Sequence, residues 1–219
     1  PRALVRRRRA VENTRKITKT MEMVATARLS KAQHAALAAR PYARELRELI
    51  GSVAAASPEL THPLMETRDP PRRAVVLFLS SDRGLCGAFN ANLLRRFRSL
   101  LEQLQARGLS LEFLVQGKKG VAAFKYLGLA VAHGYLKVSD KPSFERAEEI
   151  GAGLIERFQR REVDEAHVVY SSFRSLVSQV ATADRFLPLA TLEKRREEGE
   201  APARAPGMGY LFHPAAGRI

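Results

Sequence analysis

The residues with the best claim to chemistry are Ser80-Ser81-Asp82-Arg83-Gly84-Leu85-Cys86-Gly87-Ala88-Phe89-Asn90. They follow a continuous apolar run, Ala74 to Leu79, and precede a helical pattern. In an open α/β sheet a loop in that place is where phosphates bind. Glycines let the backbone approach a ligand, and a helix N-terminus favours an anion. The detail argues against a nucleotide. A P-loop needs G-x-x-x-x-G-K-[ST] and a dinucleotide loop needs G-x-G-x-x-G, and neither Gly84 nor Gly87 opens such a pattern. Gly117-Lys118-Lys119-Gly120 is basic and flanked by glycine, yet it lacks the hydroxyl that would hold a metal ion. Cys86 is a nucleophile only beside a base. His34, His62, His133, His167 and His213 show no paired spacing for metal or catalysis. Glu145, Glu148 and Glu149 fall in the first turns of a predicted helix, where the macrodipole stabilises them. No catalytic residue, metal site or cofactor is expected.

The elements that must position these residues fall into two grammars. Residues 1–56 read as one long helix: Pro1 stands at its start, no glycine intervenes before Gly51, and Glu12 to Ala39 is rich in Ala, Met, Lys, Arg and Leu. Pro41 is expected to kink or break it. Val11, Ile17, Met21, Val24, Ala25, Ala32, Ala35, Ala36 and Ala39 follow a near-helical or heptad spacing. Such a thin stripe buries little area, so the helix needs a partner, as an amphipathic core helix or as one strand of a coiled coil. Residues 57–72, punctuated by Ser57-Pro58, His62-Pro63 and Asp69-Pro70-Pro71, read as a linker.

From 73 to 192 the pattern alternates. Ala74–Leu79 reads as a buried parallel strand, followed by a helix from about Asn90 to Arg107 and a strand from Leu111 to Val115. A loop and short helix occupy Gly117 to Tyr126, with a short strand expected at Leu129 to Ala132. Ser143, a suitable N-cap, opens a helix to Arg160. Strands at Ala166–Ser171 and Gln179–Leu187 flank a turn. This β-α-β-α-β order predicts a Rossmann-like α/β domain. Residues 193–209 read as a charged loop and Tyr210–Phe212 as a short strand.

Apolar residues make up 45% of the chain and charged residues 27%, the balance of a globular protein. The absence of Trp and the 7% aromatic content predict an aliphatic core. The net charge of +14 is uneven: residues 1–40 hold eleven Lys or Arg and two Glu, 11 − 2 = +9, leaving +5 for the rest. A basic segment of this kind suits an acidic surface, a nucleic acid or an anionic membrane face. A nucleic-acid-binding role is weakened because aromatics do not interleave the basic residues. One cysteine excludes an internal disulfide framework and favours a reducing compartment. No apolar run reaches membrane-spanning length. The Arg-rich start belongs to the unbroken helical pattern and is read as mature protein.

The segment Val11 to Leu29 (VENTRKITKTMEMVATARL) resembles the N-terminal helix of F-type ATP synthase gamma subunits, and Ser81-Asp82-Arg83-Gly84-Leu85-Cys86-Gly87 with Asn90 resembles that family's internal motif. Gly117–Gly120 and Tyr170-Ser171-Ser172-Phe173 fall where the family has similar stretches. The resemblance implies a rotor shaft: the first helix pairs with a C-terminal helix as an antiparallel coiled coil and enters the alpha-beta hexamer, with Lys16, Lys19, Met21 and Arg28 facing it. The α/β domain becomes a foot on the membrane c-ring and the epsilon subunit, with Arg83, Gly84, Leu85, Cys86, Gly87, Tyr210, Phe212 and His213 on that side. The family often has Tyr and Glu where this chain has Phe212 and His213, and an aliphatic seam residue near Arg8. The chain ends at Ile219, where the family continues into its long C-terminal helix. One non-catalytic copy per complex is implied, peripheral on the cytoplasmic side of a bacterial plasma membrane, with no nucleic-acid partner.

Overall fold

The structure is a computed structural model, and it describes residues 2–56, 62–138 and 142–189. The chain divides into two compact units, one containing the first helix and the other the α/β domain. Tyr210, Phe212, His213 and the expected 193–209 loop lie outside the described residues.

Helix α1 runs Arg2–Ala56. At 1.5 Å per residue its 55 residues extend about 80 Å. The break expected at Pro41 is absent: the helix continues through it. Proline removes one N–H and crowds the preceding turn, but Ala35 to Ala39 before it and Arg44 to Leu46 after it are strong helix formers that propagate past a single lost bond. Apolar side chains recur at Ile17, Met21 and Val24 and again at Tyr42, Leu46 and Leu49, all exposed. Ion pairs at helical spacing, Arg8–Glu12 and Arg44–Glu48, line its polar surface.

The second unit holds one five-stranded sheet in the order β3-β2-β1-β4-β5. Its elements are β1 Arg73–Leu79, α2 Phe89–Ala106, β2 Ser110–Gln116, α3 Lys118–Tyr126, β3 His133–Tyr135, α4 Phe144–Gln159, β4 Glu165–Phe173 and β5 Gln179–Leu187. The first four strands are parallel, and β5 returns antiparallel to β4. β1 lies at the centre and is buried on both faces, hence its unbroken apolar run. Ala74, Val76 and Phe78 face one core with α2 and α3 residues. Val75 and Leu77 face the other, with Ile150, Leu154 and Phe158 of α4. Ser143 caps α4, its hydroxyl accepting from the Arg146 N–H at 3.3 Å.

Two expectations are corrected here. The larger core is built on phenylalanine: Phe97 and Phe124 stack with centroids 4.6 Å apart, and Phe78 and Phe113 join them at 5.2 and 5.5 Å from Phe124. A low overall aromatic content does not prevent those few rings from meeting at one place. The strand expected at Leu129–Ala132 is instead the exit from α3. Leu129 N–H bonds back to Phe124, Gly128 turns at φ +69, and Leu129 and Val131 cover the phenylalanine core. The strand follows one step later, at His133–Tyr135.

Candidate functional site

The loops after β1 and β2 meet at the carboxyl end of the sheet. Ser80 follows β1; its N–H and Oγ both donate to the Gln116 carbonyl, at 2.8 and 2.7 Å. Its Oγ also accepts the Gly120 N–H at 2.9 Å. The glycines of the 117–120 segment are there for this approach. A Cβ at Gly117 would lie 2.5 Å from the Ser80 carbonyl oxygen, and one at Gly120 2.4 Å from Ser80 Oγ. The two glycine motifs, 84–87 and 117–120, therefore belong to a single structure. Lys119 ties them: its N–H donates to the Ser81 carbonyl at 3.0 Å, and its side chain passes Gly84.

Asp82 fastens this loop to the start of α3. Its carboxylate is buried and accepts the N–H of Lys118, the first residue of α3, at 3.0 Å and that of Lys137 at 3.2 Å. The chain's own carboxylate thereby caps the N-terminus of α3, whereas the N-terminus of α2, which follows the loop, has no side-chain cap. Asn90, on the first turn of α2, fastens the other side. Its Oδ1 accepts from Ser81 N–H at 3.2 Å and its Nδ2 donates to Ser81 Oγ at 2.7 Å. Cys86 Sγ accepts from the same amide nitrogen at 3.2 Å and lies 3.8 Å from Ser81 Oγ. An amide and a hydroxyl do not act as bases at neutral pH, so the thiol has no activating partner in these contacts.

Arg83 to Ala88 are all exposed. Leu85 is 90% exposed and sits at φ +61, in the left-handed region that an aliphatic side chain rarely adopts. Lys118, Lys119 and Lys137 are exposed beside it. Of the predicted site residues, the loop brings Arg83, Gly84, Leu85, Cys86 and Gly87 together. On α1 the four predicted contacts divide. Met21 and Arg28 are seven residues apart and share the face of Ile17 and Val24. Lys19 lies on the opposite face, its Nζ paired to Glu22 at 3.1 Å, and Lys16 lies on the flank, about a quarter turn from Ile17.

A charged cluster at the other end of β4 has no counterpart in the sequence reading. Glu165 and His167 are both buried, and His167 Nε2 lies 2.9 Å from Glu165 Oε2. Arg107, just past α2, donates to both carboxylate oxygens at 2.9 and 2.6 Å, and Arg185 of β5 approaches at 3.5 Å. Burial pushes the Glu165 carboxyl upward. The hydrogen bonds and charges of His167 and Arg107 outweigh it, and its pKa falls from 4.5 to about 2. The i, i+2 spacing of Glu165 and His167 puts them on one strand face, but nothing local announces Arg107, 58 residues away.

The described parts of this chain are thus a sheet domain with an exposed loop at the carboxyl end of its sheet and a long basic helix with exposed apolar residues. The family model described as ATP synthase matches residues 1–219, and the chain belongs to that family. Its relatives are ATP synthase gamma chains. That of Gemmatimonas aurantiaca is 42% identical over 87% of this chain and 66% of its own length. That of Streptomyces coelicolor is 39% identical over 96% of this chain and 70% of its own. The chain thus spans about two thirds of the length of these relatives. Among solved structures, the central stalk and c-ring of the Tetrahymena thermophila mitochondrial ATP synthase matches 63% of this chain and 60% of the other, at 20% identity and TM-score 0.46. The Euglena gracilis mitochondrial rotor matches at 16% identity and TM-score 0.41, over 75% of this chain and 64% of the other. Among the described residues no helix is long and apolar enough to cross a membrane.

Proposed function

We propose that this chain is the central-shaft subunit of a rotary ATP synthase, carrying rotation of the membrane c-ring into the alpha-beta hexamer and performing no bond chemistry itself. The observation that carries the proposal is α1: a 55-residue helix with exposed apolar side chains along its length. Such a helix is stable only when other chains or segments cover it. Coupling arises because each catalytic subunit's conformation binds a different face of the turning helix, so rotation changes which state is favoured. In this role Met21 and Arg28 meet the hexamer on one side of α1, Lys19 on the opposite side and Lys16 on the flank between them. A shaft enclosed by a ring needs contacts on all sides.

The sheet domain serves as the foot. Arg83, Gly84, Leu85, Cys86 and Gly87 form a protein contact toward the epsilon subunit and c-ring, joined by Tyr210, Phe212 and His213. The curated relatives compared are bacterial gamma chains, which supports a place on the cytoplasmic face of a plasma membrane; one copy per complex belongs to the same reading. The test is reconstitution with purified alpha and beta subunits of a bacterial synthase, read by size exclusion and ATPase rate. A complex holding one copy of this chain, with raised multisite turnover, is the expected outcome. Absence of any complex, together with salt-dependent binding to DNA, sinks the proposal in favour of the nucleic-acid reading.

A further inference from the structure

The stretch between α1 and β1 is fastened to the sheet domain by one buried arginine. Arg68 is 12% exposed at its side chain and lies with its guanidinium 4.3 Å from the centre of the Phe158 ring. Its Nη2 donates to the Phe158 carbonyl at 2.6 Å, at the end of α4. Its Nη1 donates to the Val163 carbonyl and meets Asp164 Oδ1 at 3.4 Å. Asp164 is 14% exposed, and its other oxygen accepts the backbone N–H groups of Arg72 and Arg73 at 2.8 and 2.9 Å. Leu64 packs onto the α4 core, and Glu66 pairs with Arg161 at 3.1 Å on the surface. Residues 64–73 are thus riveted to the turn between α4 and β4, with Arg68 and Asp164 as the two halves of the rivet.

We infer that the Arg68–Asp164 clasp is the mechanical anchor at which force carried along the covalent chain from α1 enters the sheet domain. The inference rests on the shaft reading above. A torque crossing a chain segment is transmitted only from the first point where that segment is rigidly held. Freed of the clasp, the stretch from Leu64 to β1 would keep only the packing of Leu64 and the surface Glu66–Arg161 pair, and the residues after Glu66 would yield under load. That slack would be taken up before any load passed. The chemistry suits an anchor: a planar fork with several fixed donors resists shear in more than one direction, which a single-point ammonium does not. Arg68 and Asp164 are therefore positioning residues.

The test uses two variants in the assembled enzyme. Arg68→Met keeps the apolar stem over Phe158 and removes the fork. Asp164→Asn keeps an acceptor for the Arg72 and Arg73 amides and removes the charge. Each is read twice: as ATPase of the complex with alpha and beta alone, where the foot carries no load, and as proton-driven ATP synthesis in vesicles holding the membrane sector. The expected result is parent-level ATPase with synthesis reduced severalfold, while Arg161→Ala, which removes only the surface pair, changes neither. Parent-level synthesis in both variants overturns the anchor, as does an equal fall in both activities, the mark of simple misfolding. If Arg68→Met does not accumulate, Asp164→Asn alone decides. Failure of the parent chain to activate the hexamer is a different outcome, which strikes the shaft reading and not the clasp.

Discussion

At the scale of single residues, two side chains in unfavourable settings mark where stability and contact compete. Leu85 holds a left-handed conformation that costs an aliphatic residue about 1 kcal/mol, and its side chain is almost wholly in solvent. Leu85→Gly should therefore stabilise the isolated chain in urea unfolding, by no more than that order because glycine frees the unfolded chain, while weakening its capture by partner subunits in a pull-down titration. Unchanged capture would show that the leucine has no contact to make. Glu165 offers the opposite case, a buried carboxylate whose folded pKa of about 2 lies below its ordinary 4.5. A depressed carboxylate pKa contributes stability above the unfolded value and loses it as pH falls through the folded one, so the window is pH 4.5 down to about 2. At ~1.4 kcal/mol per unit the gap is worth about 3 kcal/mol. Urea unfolding across that range should show the parent losing stability on that order. Glu165→Gln should be weaker at neutral pH, because Arg107 loses its counter-charge, and flatter through the acid window.

At the scale of elements, what is legible depends on whether the determining contacts are local. β1 is legible because a central parallel strand is apolar on both faces, and Ala74 to Leu79 says so without help. The start of α4 is legible because Ser143 carries its own capping chemistry. β3 is not. Its residues, His133-Gly134-Tyr135, are strand only because β2 pairs with them, and the more apolar Leu129 and Val131 just before them are drawn off to cover the core. The loop motif was legible as a motif, but not its attachment to α3, since Asp82 reaches Lys118 and Lys137 across 36 and 55 residues. The phenylalanine core was hidden for the same reason: composition counts rings but does not place them. Phe97 touches Phe78, Phe113 and Phe124 and is fully buried. Phe97→Ala should cost about 3–5 kcal/mol by urea unfolding, at the upper end because three rings lose their neighbour together. A loss below that range would mean that the core closes over the cavity, as an aliphatic core would do more readily.

At the scale of the whole molecule, charge is the property no single contact explains. The chain carries +14, of which +9 lies in residues 1–40, on a helix too long for its two ends to screen each other. Many of these side chains are exposed and not buried in specific pairs, so their main effect is on encounter and not on the final affinity. A field of this sign draws an acidic partner surface inward from beyond contact range. It does so only while salt leaves it unscreened, and the Debye length shrinks from about 30 Å at 0.01 M to about 10 Å at 0.1 M. The association rate of the chain with the alpha-beta hexamer should therefore fall by about tenfold or more over that range, with the dissociation rate nearly constant, in stopped-flow mixing. Reversing Arg6, Arg7, Arg8 and Arg9 to Glu should slow association at low salt and flatten its salt dependence. Dissociation should stay as it was, because the apolar stripe of Ile17, Met21 and Val24 is untouched. If the reversal instead speeds dissociation and leaves association alone, those arginines sit in the bound interface as paired contacts, and the basic end of α1 is part of the grip and not of the approach.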